Sequence, residues 1–153
     1  MNISQIMTSD AQCISPDASL TEASQRLRDL DVGALPVCEN ERLVGMITDR
    51  DITVRAVAEH CSPDDTSVRD VMSEGAIFAY DDEDVRDAAL IMRENQVRRL
   101  PVINRRNRVV GIISLGDLAA GHLAPDLSGA TLRGICQSES PGDEARRRSL
   151  PTP

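Results

Sequence analysis

Gly45-Met46-Ile47-Thr48-Asp49-Arg50-Asp51 returns later in the chain as Gly111-Ile112-Ile113-Ser114-Leu115-Gly116-Asp117. Each stretch is an apolar run that ends in a hydroxyl residue, with an aspartate three positions further on. A strand that turns directly into a helix has this pattern, the Ser or Thr capping the first turn and the acid completing a capping box. The echo extends outward. Leu35-Pro36-Val37 matches Leu100-Pro101-Val102, and Ile6-Met7 matches Val71-Met72. The copies run without a gap from Met7 to Pro36 against Met72 to Pro101. The second then carries one extra residue in the polar turn Asn104-Arg105-Arg106-Asn107, where the first has Glu39-Asn40-Glu41. A hairpin loop tolerates such a change. A tandem repeat of this size predicts two copies of one unit that bury apolar faces against each other.

Each copy reads β-α-β-β-α, an α+β pattern. A short extended piece (Cys13-Ile14; Ile77 to Tyr80) leads into an amphipathic helix. Ser19 caps the first such helix, with Glu22 three residues on, and Leu20, Ala23, Leu27 and Leu30 form its apolar stripe. Asp84 caps the second, with Asp87 three on, and Val85, Ala88, Ile91 and Met92 form the stripe. Two strands follow, Ala34 to Cys38 and Leu43 to Thr48, then Leu100 to Asn104 and Val109 to Ser114. A closing helix is predicted from Asp49 to Glu59 and from Leu115 to Leu123. This divides the chain into a first repeat over 1–60, a polar linker over 61–67, a second repeat over 68–124 and an extension over 125–153. The extension is expected to form a short helix over Leu127 to Cys136, with Leu132 and Ile135 on one side, and to be disordered from about 138.

Composition limits the function classes. The net charge is -8, which disfavours nucleic acid and anionic lipid as partners. All 17 basic residues are arginine, and Phe78 and Tyr80 are the only aromatic residues, so stacking platforms for single strands are scarce. The start of the chain lacks the basic and apolar segments of a secretory leader, and no apolar run is long enough to span a bilayer, which points to a cytoplasmic protein. Cys13, Cys38, Cys61 and Cys136 are scattered without a CxxC pairing and are expected to be reduced thiols. His60 and His122 stand alone near predicted helix ends, and no metal site is expected. No nucleophile elbow, P-loop or GxGxxG is present, so no enzyme constellation is predicted.

Two features carry candidate chemistry. Thr48 with Asp51, and Ser114 with Asp117, sit where a strand meets a helix. As a capping box each pair simply satisfies free amides. As a ligand site, the amides and hydroxyl would hold a phosphate, and the carboxylate would accept from two vicinal ribose hydroxyls. Met46 shares a strand face with Thr48, and Ile112 with Ser114, so either side chain can pack on a purine or simply fill core. The second feature is Arg98-Arg99, which stands where the first copy has Gly33-Ala34. Paired guanidinium groups suit phosphate oxygens; the alternative is a surface ion pair with Glu94.

With these residues in hand, the chain over roughly 1–124 resembles the CBS (cystathionine β-synthase) domain pair, or Bateman module. The resemblance rests on the β-α-β-β-α repeat, the Leu-Pro-Val strands and the Gly-x-x-Thr/Ser-x-x-Asp element of both copies. Asp31-Val32-Gly33-Ala34-Leu35-Pro36-Val37 and Thr48-Asp49-Arg50-Asp51-Ile52 are similar to small stand-alone bacterial members. The resemblance implies repeats packed about a pseudo-twofold axis with two clefts, and a disc-shaped homodimer. It implies an adenosine-containing ligand (AMP, ADP, ATP, NAD or S-adenosylmethionine). Asp51 and Asp117 would then hold ribose, Thr48 and Ser114 ribose or phosphate, and Met46 and Ile112 would flank the base. Arg98 and Arg99 would hold phosphate, Val32 and Ala34 would line the cleft from the other repeat, and Arg50 is a further candidate ligand-binding residue. The absence of the basic pair at Gly33-Ala34 implies unequal clefts. No enzyme or channel domain accompanies the pair, so the resemblance implies action in trans on a regulated protein. The alternative is a ligand-independent interaction scaffold in which Thr48 and Ser114 are helix caps only.

Overall fold

Two matched β-hairpins organise the computed structural model, which describes residues 1–75, 77–120 and 125–137. After a 3-10 turn at Ile3–Gln5 come β1 (Thr8–Ser9), α1 (Leu20–Leu30), β2 (Ala34–Glu39) and β3 (Arg42–Thr48). Next are α2 (Asp49–Ile52), which continues as a π-helical turn over Thr53–Val57, then α3 (Val68–Val71) and β4 (Ser73–Glu74). The chain then forms β5 (Ala79–Tyr80), α4 (Val85–Asn95), β6 (Arg99–Ile103), β7 (Val109–Ser114), α5 (Leu115–Ala119) and α6 (Pro125–Cys136). The α+β repeat expected from the sequence is therefore present in both copies.

The chain divides into two compact units, and these do not follow the sequence copies. One unit is Ala11–Ala76; the other joins Met1–Asp10 to the chain from Ile77 onward. Within the first, β2, β3 and β4 form an antiparallel sheet in which Met46 faces Ser73. Within the second, the order is β1-β7-β6-β5, and Thr8 faces Ile112. Each sheet is thus completed by a strand that precedes the other copy in sequence. Buried anchors account for the arrangement. Ile3 is fully enclosed in the core of Ala79, Met92, Leu100 and Ile113, while Val68 and Val71 are enclosed in that of Leu20, Leu35 and Ile47. Burial of one such side chain contributes about 1.5–3 kcal/mol, enough to direct a short segment.

The two amphipathic helices form where periodicity places them. Ser19 accepts from the Glu22 amide at 3.1 Å, while the Glu22 carboxylate pairs with Arg26 at 3.3 Å. Asp84 accepts from the Arg86 amide, and Asp87 returns a bond to the Asp84 amide. Both helices end on a left-handed residue, Asp31 and Gln96. Three sequence expectations need correction. Leu30 is 40% exposed because it is the last residue before that left-handed turn, where the apolar stripe has rotated off the sheet. In α6, Leu132 and Ile135 are neighbours at i,i+3 but are not buried together. Thr131 and Ile135 are buried and Leu127 packs beside them, while Leu132 is 48% exposed. The polar member of that stripe is tolerated because the Thr131 hydroxyl donates to the Leu127 carbonyl at 2.8 Å.

The third correction concerns the cysteines. Cys13 and Cys38 are joined by a disulfide, with Cα atoms 5.7 Å apart, rather than being reduced thiols. Ile14 bridges Val37 in parallel, which sets neighbouring residues of two chain segments side by side. Local spacing carries no trace of such a long-range pairing. Cys61 and Cys136 are free thiols. The closing helix of the second copy is described only as far as Ala119 and its cap, and His122 and the tail from 138 lie outside the described residues. Among the described residues no helix is long and apolar enough to cross a membrane.

The exchanged strands pass close over two glycines. A Cβ at Gly111 would stand 2.7 Å from both the Thr8 carbonyl and the Met7 sulfur, and one at Gly45 would stand 2.5 Å from the Ser73 carbonyl. Gly111→Ala and Gly45→Ala should therefore each destabilise the protein by about 1–3 kcal/mol in urea unfolding, since backbone must move to make room. An unchanged midpoint for both would show that β1 and β4 do not hold these positions.

Candidate functional site at the strand-to-helix junctions

The hairpin registers place the candidate residues. Ala34 pairs with Thr48 and Arg99 with Ser114, at equivalent places in the two copies. Along β3, Val44, Met46 and Thr48 form a half-buried face opposite the buried Leu43, Gly45 and Ile47. Along β7, Ile112 and Ser114 lie likewise opposite Gly111 and Ile113. The face-sharing expected for Met46 with Thr48 and for Ile112 with Ser114 is present. Two groups result. Ala34, Met46, Thr48, Arg50 and Asp51 gather at the junction of β3 with α2, and Arg98, Arg99, Ile112, Ser114 and Asp117 at that of β7 with α5. Val32 stands just before β2, 38% exposed, its amide bonded to the Leu27 carbonyl; Ala34 is buried at 5%.

Both capping boxes form. The Asp51 amide donates to Thr48 Oγ1 at 3.0 Å, and the Thr48 amide donates to Asp51 Oδ2 at 3.0 Å. In the second copy the Asp117 amide donates to Ser114 Oγ at 3.1 Å. Asp117 Oδ2 accepts from the Ser114 amide at 2.7 Å and from the Ser114 hydroxyl at 2.6 Å. The Ser114 hydroxyl proton is therefore engaged, whereas that of Thr48 has no acceptor among the described residues. In both caps it is the same carboxylate oxygen, Oδ2, that accepts the bonds. Both helices are short, so any anion here meets individual amides and side chains rather than the summed dipole of a long helix.

The first-turn amides differ between copies. The Asp49 amide donates to the Gly33 carbonyl at 3.1 Å and the Arg50 amide to Asp49 Oδ1 at 2.8 Å, so the first junction is closed by its own chain. In the second, the Leu115 amide donates to the Arg98 carbonyl at 2.8 Å. Leu115 has no carboxylate to offer the next residue, and the Gly116 amide has no partner among the described residues. Arg98 and Arg99 are exposed there and form no ion pair with Glu94 or any other acid among the described residues. The second junction thus keeps an amide and two guanidinium groups available for an anion.

One residue outside the sequence expectations bears on the first junction. Arg55 lies one turn beyond Asp51, its Nε 4.0 Å from Asp51 Oδ1, and its Nη1 donates to the carbonyls of Val71 at 3.1 Å and Met72 at 3.2 Å. It ties the candidate carboxylate to the segment that leads into β4. The i,i+4 spacing of Asp51 and Arg55 was the available signal for the ion pair; the carbonyl contacts depend on the fold. Among the described residues no three His, Cys, Asp or Glu side chains converge as metal ligands.

A duplicated sheet-and-helix unit, with a hydroxyl–carboxylate pair at each strand-to-helix junction, is the class of protein this geometry defines. The chain belongs to the CBS domain family, whose profile matches residues 3–57 and 68–121. It is similar to the CBS domain-containing protein YhcV of Bacillus subtilis, 35% identical over 134 residues, which span 88% of this chain and 94% of that protein. Hypoxic response protein 1 of Mycobacterium tuberculosis is 33% identical over 132 residues, 86% of this chain and 91% of its own length. A crystal structure of hypoxic response protein I with two coordinated zinc ions matches with a TM-score of 0.74 and 34% identity, over 81% of this chain and 100% of that one. The CBS domain pair of protein MJ0100, in complex with 5′-methylthioadenosine and S-adenosyl-L-methionine, matches with a TM-score of 0.70 and 27% identity, over 78% and 93%.

Arg55→Met should destabilise the protein by about 1–2 kcal/mol in urea unfolding, because two carbonyls at the end of α3 lose a charged donor. Arg50→Met, at an exposed side chain without a partner among the described residues, should shift it by less than about 0.5 kcal/mol. Equal effects would reject the clamp role of Arg55.

Proposed function

We propose that the protein is a non-enzymatic regulatory module that binds an adenosine-containing ligand and acts in trans on a partner protein. The observation that carries this reading is the second junction. The Ser114–Asp117 pair stands there beside Arg98 and Arg99, two cations that no carboxylate neutralises among the described residues. A carboxylate beside paired guanidinium groups offers complementary partners for a ribose and a phosphate. Asp117 would accept from the ribose hydroxyls, Arg98 and Arg99 would hold phosphate, and Ile112 would pack on the base. At the first junction Asp51, Thr48, Met46, Ala34, Val32 and Arg50 would take the same kind of ligand with less hold on its phosphate. The adenosine compounds bound to the MJ0100 pair support this choice of ligand class.

A ligand acts on such a module only through its differential affinity for two states, typically about 1–3 kcal/mol. A homodimer, as the family resemblance implies, and a cytoplasmic setting are part of the proposal. A second reading has one observation in its favour. Both hydroxyl–carboxylate pairs are satisfied internally as capping boxes, which suits a scaffold that binds no nucleotide.

Calorimetric titration of nucleotide-free protein against AMP, ATP, NAD and S-adenosylmethionine separates the two. Binding by at least one is expected, weakened roughly 10-fold or more in Asp117→Ala, the loss of one charge-assisted contact. ATP should lose more affinity than adenosine when Arg98 and Arg99 are both changed to Met. Absence of heat with all four ligands would leave the scaffold reading standing, and an unaltered affinity in Asp117→Ala would reject the ribose role.

A further inference from the structure

The Cys13–Cys38 bond occupies a place that the second copy fills differently. Positions 13, 14, 37 and 38 correspond to 78, 79, 102 and 103. In the second copy Ala79 pairs in parallel with Val102 and Tyr80 with Ile103, and Phe78 and Ile103 are enclosed at 1% and 0% exposure. Burial of apolar side chains holds that edge strand. In the first copy the same two positions are cysteines, both half-buried, and the strand is reduced to a single bridge at Ile14. Besides the Ile14 side chain, enclosed in the core with Leu20 and Val37, its ties are the Ile14 amide to the Pro36 carbonyl at 2.9 Å, the Cys38 amide to the Ile14 carbonyl at 3.0 Å, and Arg26 Nη1 to the Cys13 carbonyl at 2.7 Å. A covalent bond between two residues that are not fully buried has replaced a contact between two that are.

We propose that Cys13–Cys38 is a redox-responsive site, opened in the folded protein by a dithiol reductant, and that opening releases the strand at 13–14 from the edge of β2. In the exchange one thiolate of the reductant attacks a cystine sulfur and forms a mixed disulfide. Its second thiol displaces the protein thiol, so the reductant leaves as a disulfide, having given two electrons and two protons to Cys13 and Cys38. The bulge in β2 between Val37 and Cys38 places Cys38 where pairing with β3 is already irregular. The consequence reaches further along the chain. Ala18 and Pro16, just beyond the released strand, accept from the amides of Val68 and Arg69 at the start of α3.

The test is thiol counting on the native full-length protein with a small alkylating agent, by intact mass. Without reductant two adducts are expected, at Cys61 and Cys136; after dithiothreitol in the absence of denaturant, four. Reduction should also lower the melting temperature by about 6–12 °C, as expected for opening a loop of this length in a chain of this size, and speed amide exchange at Ile14 and Cys38. The Cys13→Ser/Cys38→Ser variant should melt near the reduced protein and no longer respond to dithiothreitol. If that variant fails to fold, the wild-type adduct counts still decide. Four adducts before reduction would show that the bond does not form. Two adducts that persist until denaturant is added would show a closed structural bond. Unchanged exchange at Ile14 on reduction would show that the strand is not released.

Discussion

Thr8 faces Ile112 across one sheet, and Ser73 faces Met46 across the other. This reciprocal strand pairing is the constraint on which the remaining architecture depends. It requires glycine at 45 and 111, because the crossing backbone leaves no space for a side chain. It brings Ile3 and Val68 into cores built mainly from later or earlier chain. It also braces the strands that deliver the candidate site. Thr48 and Ser114 are the terminal residues of β3 and β7, each two positions beyond the braced stretch, so the direction of each strand sets where each cap, carboxylate and first-turn amide points.

Much of this was legible because it is local. The capping residues Ser19, Asp84, Thr48 and Ser114 declare themselves within four positions, and the stripes of α1 and α4 within three turns. Alternation along β3 and β7 correctly put Met46 with Thr48 and Ile112 with Ser114. What stayed hidden required knowledge of distant chain. The echo of Ile6-Met7 in Val71-Met72 was visible, but not that each segment pairs with the other copy's strand. The neighbourhood of Cys13 and Cys38 arises only once Ile14 lies beside Val37. Leu30 and Leu132 obey helical spacing yet face water, because a stripe says which residues share a side and not where the packing partner ends. The buried Thr131 was missed for the converse reason, a polar residue satisfied by its own helix. At the site, residue types could be read from the sequence, whereas the closed first junction and the unpartnered Gly116 amide could not.

The differences between the copies carry more functional information than the identities. Register, caps and bulges repeat almost position for position, so the scaffold is held constant. Against it three substitutions stand out: Gly33-Ala34 against Arg98-Arg99, Asp49-Arg50 against Leu115-Gly116, and Cys13 with Cys38 against Phe78 with Ile103. The first two change how much positive charge a junction presents. The third exchanges an apolar contact for a covalent one. Each alters chemistry without altering topology, as expected when a duplicated unit has been specialised.

The exchange of strands also orders events during synthesis. The unit of Ala11–Ala76 is continuous in sequence and has every strand it needs once β4 has left the ribosome. The other unit is split: its β1 is made before the continuous unit, and its partner β7 after it. Met1–Asp10 must therefore wait unpaired while the whole of the continuous unit forms, and it docks only after Val109–Ser114 appears. Vectorial synthesis would thus produce the two units by different routes, the continuous unit first and the unit assembled from segments on either side of it second.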